Sequence, residues 1–309
     1  QMNCYYYPIL LNNHALNFYS ILVLSVVLIV EAFISLRLEK NSKGRQRYKC
    51  NNCKRRFINS TNHLMHWSHL SKEQWEILFY SSLNNDYLSK TTKLAGISIV
   101  SAFYNRHKLM YVLNELINKK QLSKKIALDE TYLTYQAKGF VNQNRRGISK
   151  DKIGIACAID EAGNYVVHTA DRGRPTSSTL IDIFKNSICP GSIVISDSQR
   201  SYHQLMDALN IKWIKIPSGE KSKDGYTLEM VNRLHDRIKA FFRGKRNVMT
   251  HYLQGYLALF QYSELHTMMI GSKMFQDEFM KINNILSGIR NKDICPEINL
   301  YKTLYECRF

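Results

Sequence analysis

The spacing of apolar and polar positions divides the chain into an apolar amino-terminal run, a helical region, a strand-rich region and a second helical region. Residues 15–38 are almost continuously apolar and are long enough to cross a membrane. Residues 71–125 have the spacing of helices, and between 125 and 216 the period shortens to that of strands interrupted by helices. From Thr227 onward the chain is mostly helical. Hairpin strands followed by a β-α-β unit predict a mixed α/β layer domain.

The strand-rich region resolves into individual elements. Strands are predicted at 125–135, 153–160, 165–170, 191–197 and 211–216, and helices at 177–188 and 201–209. The sequence Asp-Glu-Ala-Gly-Asn at 160–164 is typical of a hairpin turn between the second and third strands. The predicted domains are 1–40, 41–60, 61–122, 123–265 and a helical carboxy-terminal tail at 266–309.

The apolar run within residues 1–40 has two interpretations. Taken literally it is a membrane span, and the basic residues after it would keep the remaining chain in the cytoplasm. Alternatively, residues 1–40 are an out-of-frame translation. Suppose that the third base of each codon is grouped with the first two bases of the next. The junctions Val26/Val27 and Ile29/Val30 can then each encode cysteine, and the shifted frame can read Cys-Pro-x-Cys-Gly-Ser. That is the first knuckle of a zinc ribbon, and this preferred interpretation requires no membrane. The nucleotide sequence decides between them.

Charge and cysteine content narrow the class of protein. Lys and Arg number 43 against 25 Asp and Glu, which gives a formal net charge of +18. A protein this basic usually binds a polyanion, most often nucleic acid, although a merely solvated basic surface is the alternative. The seven cysteines are Cys4, Cys50, Cys53, Cys157, Cys189, Cys295 and Cys307. An odd number with one close pair is no disulfide framework and indicates a reducing cytoplasm.

Residues 41–60 have the character of half a zinc ribbon. Cys50 and Cys53 have the C-x2-C spacing of one zinc knuckle, so they are candidate ligands of Zn²⁺. A complete zinc ribbon needs two further ligands, which this sequence lacks. Tyr48 and Phe57 would form a small core. The basic side chains expected to contact DNA phosphates are Arg45, Arg47, Lys49, Lys54, Arg55 and Arg56.

The region 61–122 is predicted to be a helical DNA-binding region with a helix-turn-helix. Ser71 and Gln74 have capping-box spacing, Gly96 would make the turn, and Ser98 would cap the second helix. An ordinary helical hairpin is the alternative. The side chains expected to face DNA are Ser101, Asn105, Arg106 and Lys108, and those expected to pack are Ala102, Phe103 and Leu109.

Two aspartates stand at the ends of predicted strands. Asp129 follows the apolar residues 126–128, and Asp197 follows the strand residues 193–196. One carboxylate at the end of a buried strand is commonly a cap or turn residue, but two on strands that can lie side by side suggest a shared cation. Hard divalent ions such as Mg²⁺ prefer oxygen ligands and support phosphoryl transfer.

The helical segment 229–243 supplies further polar groups. Glu229, Asn232, His235 (or Asp236) and Lys239 recur along one face of the helix, whereas Val231, Leu234, Ile238 and Phe241 form an apolar stripe. A polar face is often only solvated. Combined with the two aspartates, however, Asn232 can offer a neutral oxygen to Mg²⁺, and Lys239 lies where a phosphate backbone would pass.

This ordered set resembles a bacterial insertion-sequence transposase of the DDE superfamily, in the group with a zinc ribbon and asparagine at the third catalytic position. The matching stretches are residues 44–57, Leu-Asp-Glu-Thr-Tyr at 128–132, Ile-Ser-Asp-Ser-Gln-Arg-Ser-Tyr at 195–202, residues 231–239 and residues 248–257. Together they cover about residues 41–265. No single stretch is specific to this family, whereas the order of the stretches along the chain is.

The resemblance implies an RNase H-like mixed-sheet catalytic domain and strand transfer at inverted repeats, dependent on Mg²⁺ or Mn²⁺. By position it implies Asp129 and Asp197 as metal ligands, Asn232 in the third place, and Lys239 as the fourth catalytic residue. Glu130, Glu229 and His235 are accessory candidates, and Glu229 is an alternative third ligand.

The expected partners are double-stranded DNA and further copies of the chain, at the nucleoid in the cytoplasm. The alternatives are a non-catalytic DNA-binding remnant or repressor, or a membrane-anchored basic protein.

Overall fold

A computed structural model describes most of the chain from Ser35 to Ile285. Its gaps are Lys43, 52–53, 59, 62, 118–120, 218, 221, 246–247 and 267–272, and Ile289 and Ile294 are also described. The apolar residues 15–34 therefore lie outside the described part, and so do Cys53 and the tail beyond Ile294. Among the described helices, none combines the length and the apolar character that a membrane crossing needs.

The centre of the molecule is a five-stranded mixed sheet. Its strands are β4 (Lys125–Thr134), β5 (Lys152–Asp160), β6 (Tyr165–Arg172), β7 (Ile193–Asp197) and β8 (Lys212–Ile216), in the order β6-β5-β4-β7-β8. The first three form an antiparallel meander, and β7 and β8 then add in parallel on the other side of β4. This mixed arrangement fits the RNase H-like fold that the sequence predicts.

Helices cover both faces of the sheet, because side chains alternate between the faces along each strand. On one face, Ile126 and Leu128 pack with α4 (Ser177–Phe184) and α5 (Ser201–Leu209). On the other face, Ala127 and the odd-numbered residues of β5 pack with the remaining helices. Strand β5 is buried on both sides, which explains why its sequence is a nearly continuous apolar run.

The predicted strands and helices of this domain agree with the structure to within two or three residues, except at the end of α4. The helix ends at Phe184, whereas the apolar spacing extends it to 188. Ile188 instead forms an isolated parallel bridge with Leu122, so the chain has already turned back to the sheet edge at that point.

The amino-terminal part forms a small antiparallel sheet of β1 (Ser35–Leu38), β2 (Arg47–Cys50) and β3 (Arg56–Ile58). Tyr48 and Phe57 stack with ring centroids 5.5 Å apart, as predicted for a small core. Strand β1 lies before residue 41, where the sequence analysis placed a domain boundary, and it pairs along its length with β2.

Three helices link this sheet to the central domain: α1 (Lys72–Leu83), α2 (Leu88–Ala95) and α3 (Ile99–Ile117). Both contacts of the predicted capping box between Ser71 and Gln74 are present. Gly96 has a φ of 62°, which a residue without a Cβ adopts easily, and it turns the chain from α2 into α3. The Ser98 hydroxyl accepts the Ser101 N–H, as expected of a cap.

The structure corrects the prediction that Asn105, Arg106 and Lys108 face DNA, because all three are buried. Asn105 is 3% exposed and donates to the Ser101 carbonyl. Arg106 is 2% exposed and donates to the Asp86 carbonyl and the Thr91 hydroxyl. Lys108 is fully buried and donates to a backbone carbonyl, that of His66. The three polar side chains therefore hold the helices together.

Burial gives Lys108 a testable pH dependence. Its pKa is lowered from 10.5 to about 8 because the buried ammonium is poorly solvated. Between pH 8 and 9.5 the unfolded chain still binds this proton while the folded chain releases it, so stability rises with pH. We expect wild type to gain about 1–2 kcal/mol of unfolding free energy relative to Lys108→Met over this range. Urea unfolding of both proteins measures the difference, and parallel pH profiles would contradict it.

The carboxy-terminal helices complete the layer opposite α4 and α5. They are α6 (Glu229–Arg243), a 3₁₀ turn (Thr250–Tyr252), α7 (Leu253–Leu265) and α8 (Lys273–Asn283), and two short strands, β9 (Ser222–Lys223) and β10 (Tyr226–Thr227), precede α6. Phe79 of α1 contacts Phe275 and Phe279 of α8 at centroid distances of 5.0 and 5.6 Å. The predicted tail thus packs against the first helix of the helical region.

Candidate active site

Asp129 and Asp197 lie at the same level on neighbouring parallel strands. The register pairs Ala127 of β4 with Ile195 of β7, and each aspartate follows two residues later on its strand. Side chains two positions apart share a face, and neighbouring strands are about 4.8 Å apart. The two predicted catalytic aspartates therefore lie side by side on the face that carries α6.

Each carboxylate uses one oxygen locally. Asp129 Oδ1 accepts the Glu130 N–H at 2.8 Å, and Asp197 Oδ1 accepts the Gln199 N–H at 2.9 Å. The pKa of Asp129 is raised to about 6, first by burial and further by the charge of Asp197, while the Glu130 N–H and the Lys239 charge act in the opposite direction. The other carboxylate oxygens remain available to a ligand.

Glu130 points to the opposite face of the sheet. The Tyr202 hydroxyl donates to its Oε1 at 2.7 Å, and Gln199 Nε2 lies 3.4 Å from its Oε2. Burial raises the pKa of Glu130 to about 7. This predicted accessory carboxylate therefore ties strand β4 to the loop and helix that follow Asp197, on the other side of the sheet from the pair of aspartates.

Helix α6 lies across β4 and β5 and brings further groups to the aspartates. Val231, Leu234 and Ile238 are fully buried, as the apolar stripe predicted. His235 is also buried, and its ring interacts with the backbone of Asp129. Burial and the charge of Lys239 lower the pKa of His235 to about 4, so the ring is neutral at pH 7. The Nε2 atom has no hydrogen-bond partner among the described residues.

The other predicted residues of α6 are exposed. Lys239 is close enough to Asp129 for its charge to lower the pKa of that carboxyl. Asn232 lies one turn before His235, on the side of the helix that also carries Lys239. Glu229 forms an exposed ion pair with Arg233, so its carboxylate already has a partner on its own helix.

The donor set around the two aspartates suits a hard divalent cation. Two adjacent carboxylates with uncommitted oxygens are the kind of oxygen ligands that Mg²⁺ and Mn²⁺ prefer. A third His, Cys, Asp or Glu does not join them: the described residues contain no cluster of three such side chains able to hold a metal ion. Cys50 is a free thiol, and its predicted zinc partner Cys53 lies outside the described residues.

An open cleft adjoins Asp197 and contains residues that the sequence analysis did not single out. It is lined by Arg174, Asp197, Ser198, Gln199, Arg200 and Ser201. Arg200 lies within the matched stretch 195–202, so its closeness to Asp197 in the sequence could have identified it as a site residue. Arg174 lies in the loop between β6 and α4 and comes near only through the fold. Close by, the buried Tyr132 hydroxyl has no hydrogen-bond partner among the described residues.

Comparison with known proteins agrees with this architecture. No curated protein shows significant similarity to the chain. Residues 121–264 match the family model of the ISXO2-like transposase domain. The matched segment spans the whole central sheet, both aspartates and α6. It makes up slightly less than half of the chain, and it supports the assignment of this part to an insertion-sequence transposase of the DDE type.

Proposed function

We propose that the chain is a transposase that cleaves DNA at the inverted repeats of an insertion sequence and joins the freed end to target DNA. The observation that carries the proposal is the alignment of Asp129 and Asp197 on two neighbouring parallel strands, inside the segment that matches the transposase domain. Asp197 ends β7 as predicted, whereas Asp129 is not a strand end, because β4 continues to Thr134. The formal net charge of +18 is appropriate for a DNA substrate.

Asp129, Asp197 and Asn232 would hold the divalent cations. When bound, such ions activate the attacking oxygen of a phosphoryl transfer and stabilise the departing one. The chain itself positions the reacting strand. Lys239 contacts a phosphate beside Asp129, and the buried, neutral His235 holds α6 against β4. Gln199 and Tyr202 fix the β7–α5 loop through Glu130.

DNA binding outside the catalytic domain belongs to two surfaces in this proposal. The first is the small sheet, where Arg45, Lys54, Arg55 and Arg56 are exposed and Arg47 and Lys49 are partly so. The second is a helix-turn-helix formed by α2 and α3. Because Asn105, Arg106 and Lys108 are buried, the exposed first turn of α3, with Ser98, Ile99 and Val100, takes their place. The apolar side chains of Ile99 and Val100 suit contact with thymine methyl groups.

The experiment that tests the function is a cleavage and strand-transfer assay. End-labelled duplexes that carry the sequences flanking the coding region are incubated with the purified chain in Mg²⁺, in Mn²⁺ and in EDTA. We expect cleaved 3′ ends and joined products with either metal and none in EDTA, because the carboxylates alone cannot activate water. DNA binding without any product in either metal would instead identify a non-catalytic repressor or remnant. We further propose that the chain acts as a homo-oligomer at the nucleoid.

A further inference from the structure

The cleft beside Asp197 contains two arginines. Arg174 comes from the β6–α4 loop and Arg200 from the β7–α5 loop, and both are exposed. Within the described part of the chain, neither guanidinium forms an ion pair or a hydrogen bond. Asp197 lines the same cleft, yet its Oδ1 accepts the Gln199 N–H and not an arginine. The arginines are therefore close to the carboxylates but not neutralised by them.

Two further features lie near the arginines. Helix α5 begins at Ser201, which lines the cleft, and no side chain caps it, although the Tyr202 and His203 N–H groups donate to the carbonyls of Gln199 and Arg200. The Tyr132 hydroxyl is close enough to both Arg174 and Asp197 for their charges to act on its pKa, and it is buried without a hydrogen-bond partner among the described residues. Two exposed guanidinium groups beside the positive end of a helix dipole form an environment for an anion with several oxygens.

We infer that this cleft, which we call the arginine cleft, is a phosphate subsite that holds a phosphodiester of the DNA strand next to the one at the aspartates. The inference rests on the proposed function, because that function supplies the strand. Arginine suits this role since its planar donors can bind two phosphate oxygens at once. With Lys239 on the α6 side and the arginine cleft on the other, the strand is held on both sides of the metal ligands.

Salt dependence of binding tests the subsite without requiring catalysis. Dissociation constants for an end-labelled duplex are measured over a series of NaCl concentrations in EDTA, for wild type, Arg174→Gln and Arg200→Gln. We expect each substitution to reduce the slope of log K against log salt by about 1, because one phosphate contact is lost. Arg174→Lys keeps the charge and is expected to keep the slope.

Lys212→Gln is the matched control. Lys212 is exposed at the start of β8, the end of the strand opposite the aspartates, and its replacement removes the same charge. An unchanged slope in both arginine variants, or an equal loss in Lys212→Gln, would overturn the subsite. Inorganic phosphate is tested as a competitor. Suppose that inorganic phosphate releases the labelled duplex from wild type as effectively as an unlabelled duplex of equal phosphate concentration. The cleft is then a site for free phosphate, and the proposal that it holds the DNA strand fails.

The two proposals can fail separately. If wild type does not cleave DNA but the arginine variants lose slope as expected, the catalytic function is rejected and the phosphate subsite remains. If wild type cleaves DNA and the slopes do not change, the catalytic function remains and the subsite is rejected. Thermal unfolding of each variant confirms that the exposed substitutions leave the fold intact.

Discussion

Replacing Asp129 or Asp197 by asparagine is expected to reduce DNA cleavage at least about 10³-fold while DNA binding is retained. Either change removes a charged oxygen ligand from a cation that stabilises the transition state by several kcal/mol, and each 1.36 kcal/mol corresponds to a factor of ten in rate. An amide is nearly isosteric with a carboxyl. The oxygen that accepts the Glu130 N–H or the Gln199 N–H is therefore kept. Single-turnover cleavage of the labelled duplex and a gel-shift assay measure the two effects.

Asp207→Asn provides the matched control. Asp207 is exposed near the end of α5, which packs on the face of the sheet opposite the aspartates, and its replacement changes the formal charge by the same amount. We expect its cleavage rate to stay within about twofold of wild type, because exposed charges contribute little to a metal site that they do not touch. Full activity in either Asp129→Asn or Asp197→Asn would remove the assignment of the catalytic pair.

The second large effect is expected from Leu234→Ala in the buried stripe of α6. Leu234 is 0% exposed and packs in the core between α6 and the sheet. Truncating a fully buried leucine costs about 2–5 kcal/mol, from lost burial and the cavity left behind. The same helix carries Asn232 and Lys239, so a shift of α6 also displaces these groups from the aspartates. We therefore expect lower stability in urea together with slower cleavage.

A solvent-facing substitution on the same helix separates packing from helix propensity. Asp236→Ala is exposed, and we expect its unfolding free energy to stay within about 0.5 kcal/mol of wild type. Comparable losses in Leu234→Ala and Asp236→Ala would show that burial against the sheet is not what holds α6.

Much of the central domain follows from the sequence because its core is built from regular alternation. The β4 prediction differs from the structure by one residue, and the parallel placement of β4 and β7 follows from the β-α-β order. The sequence indicates only that these strands can lie side by side, and the sheet order then places Asp129 beside Asp197. Asp197 is the last residue of β7, but β4 continues past Asp129 to Thr134, pairing there with β5, so the predicted strand end at Asp129 was wrong.

Predictions from the sequence failed where polar side chains are buried and where loops distant in sequence come together. Arg106 and Lys108 have the residue types of an exposed basic face, but carbonyl groups of Asp86 and His66 accept their hydrogen bonds inside the helical region. Those acceptors are backbone atoms of distant segments, which no local pattern encodes. For the same reason Arg174, on a loop remote in sequence from Asp197, was not predicted as a neighbour.

The parallel pairing of β4 with β7 also has a consequence for protein synthesis. The meander of β4, β5 and β6 uses contacts between consecutive strands and can form as soon as those residues leave the ribosome. The second aspartate joins the first only after the long connection through α4 has been translated and β7 has docked. A chain that ends before Ile193 therefore carries Asp129 without the strand that places Asp197 beside it, so the proposed metal site is incomplete until β7 has been made.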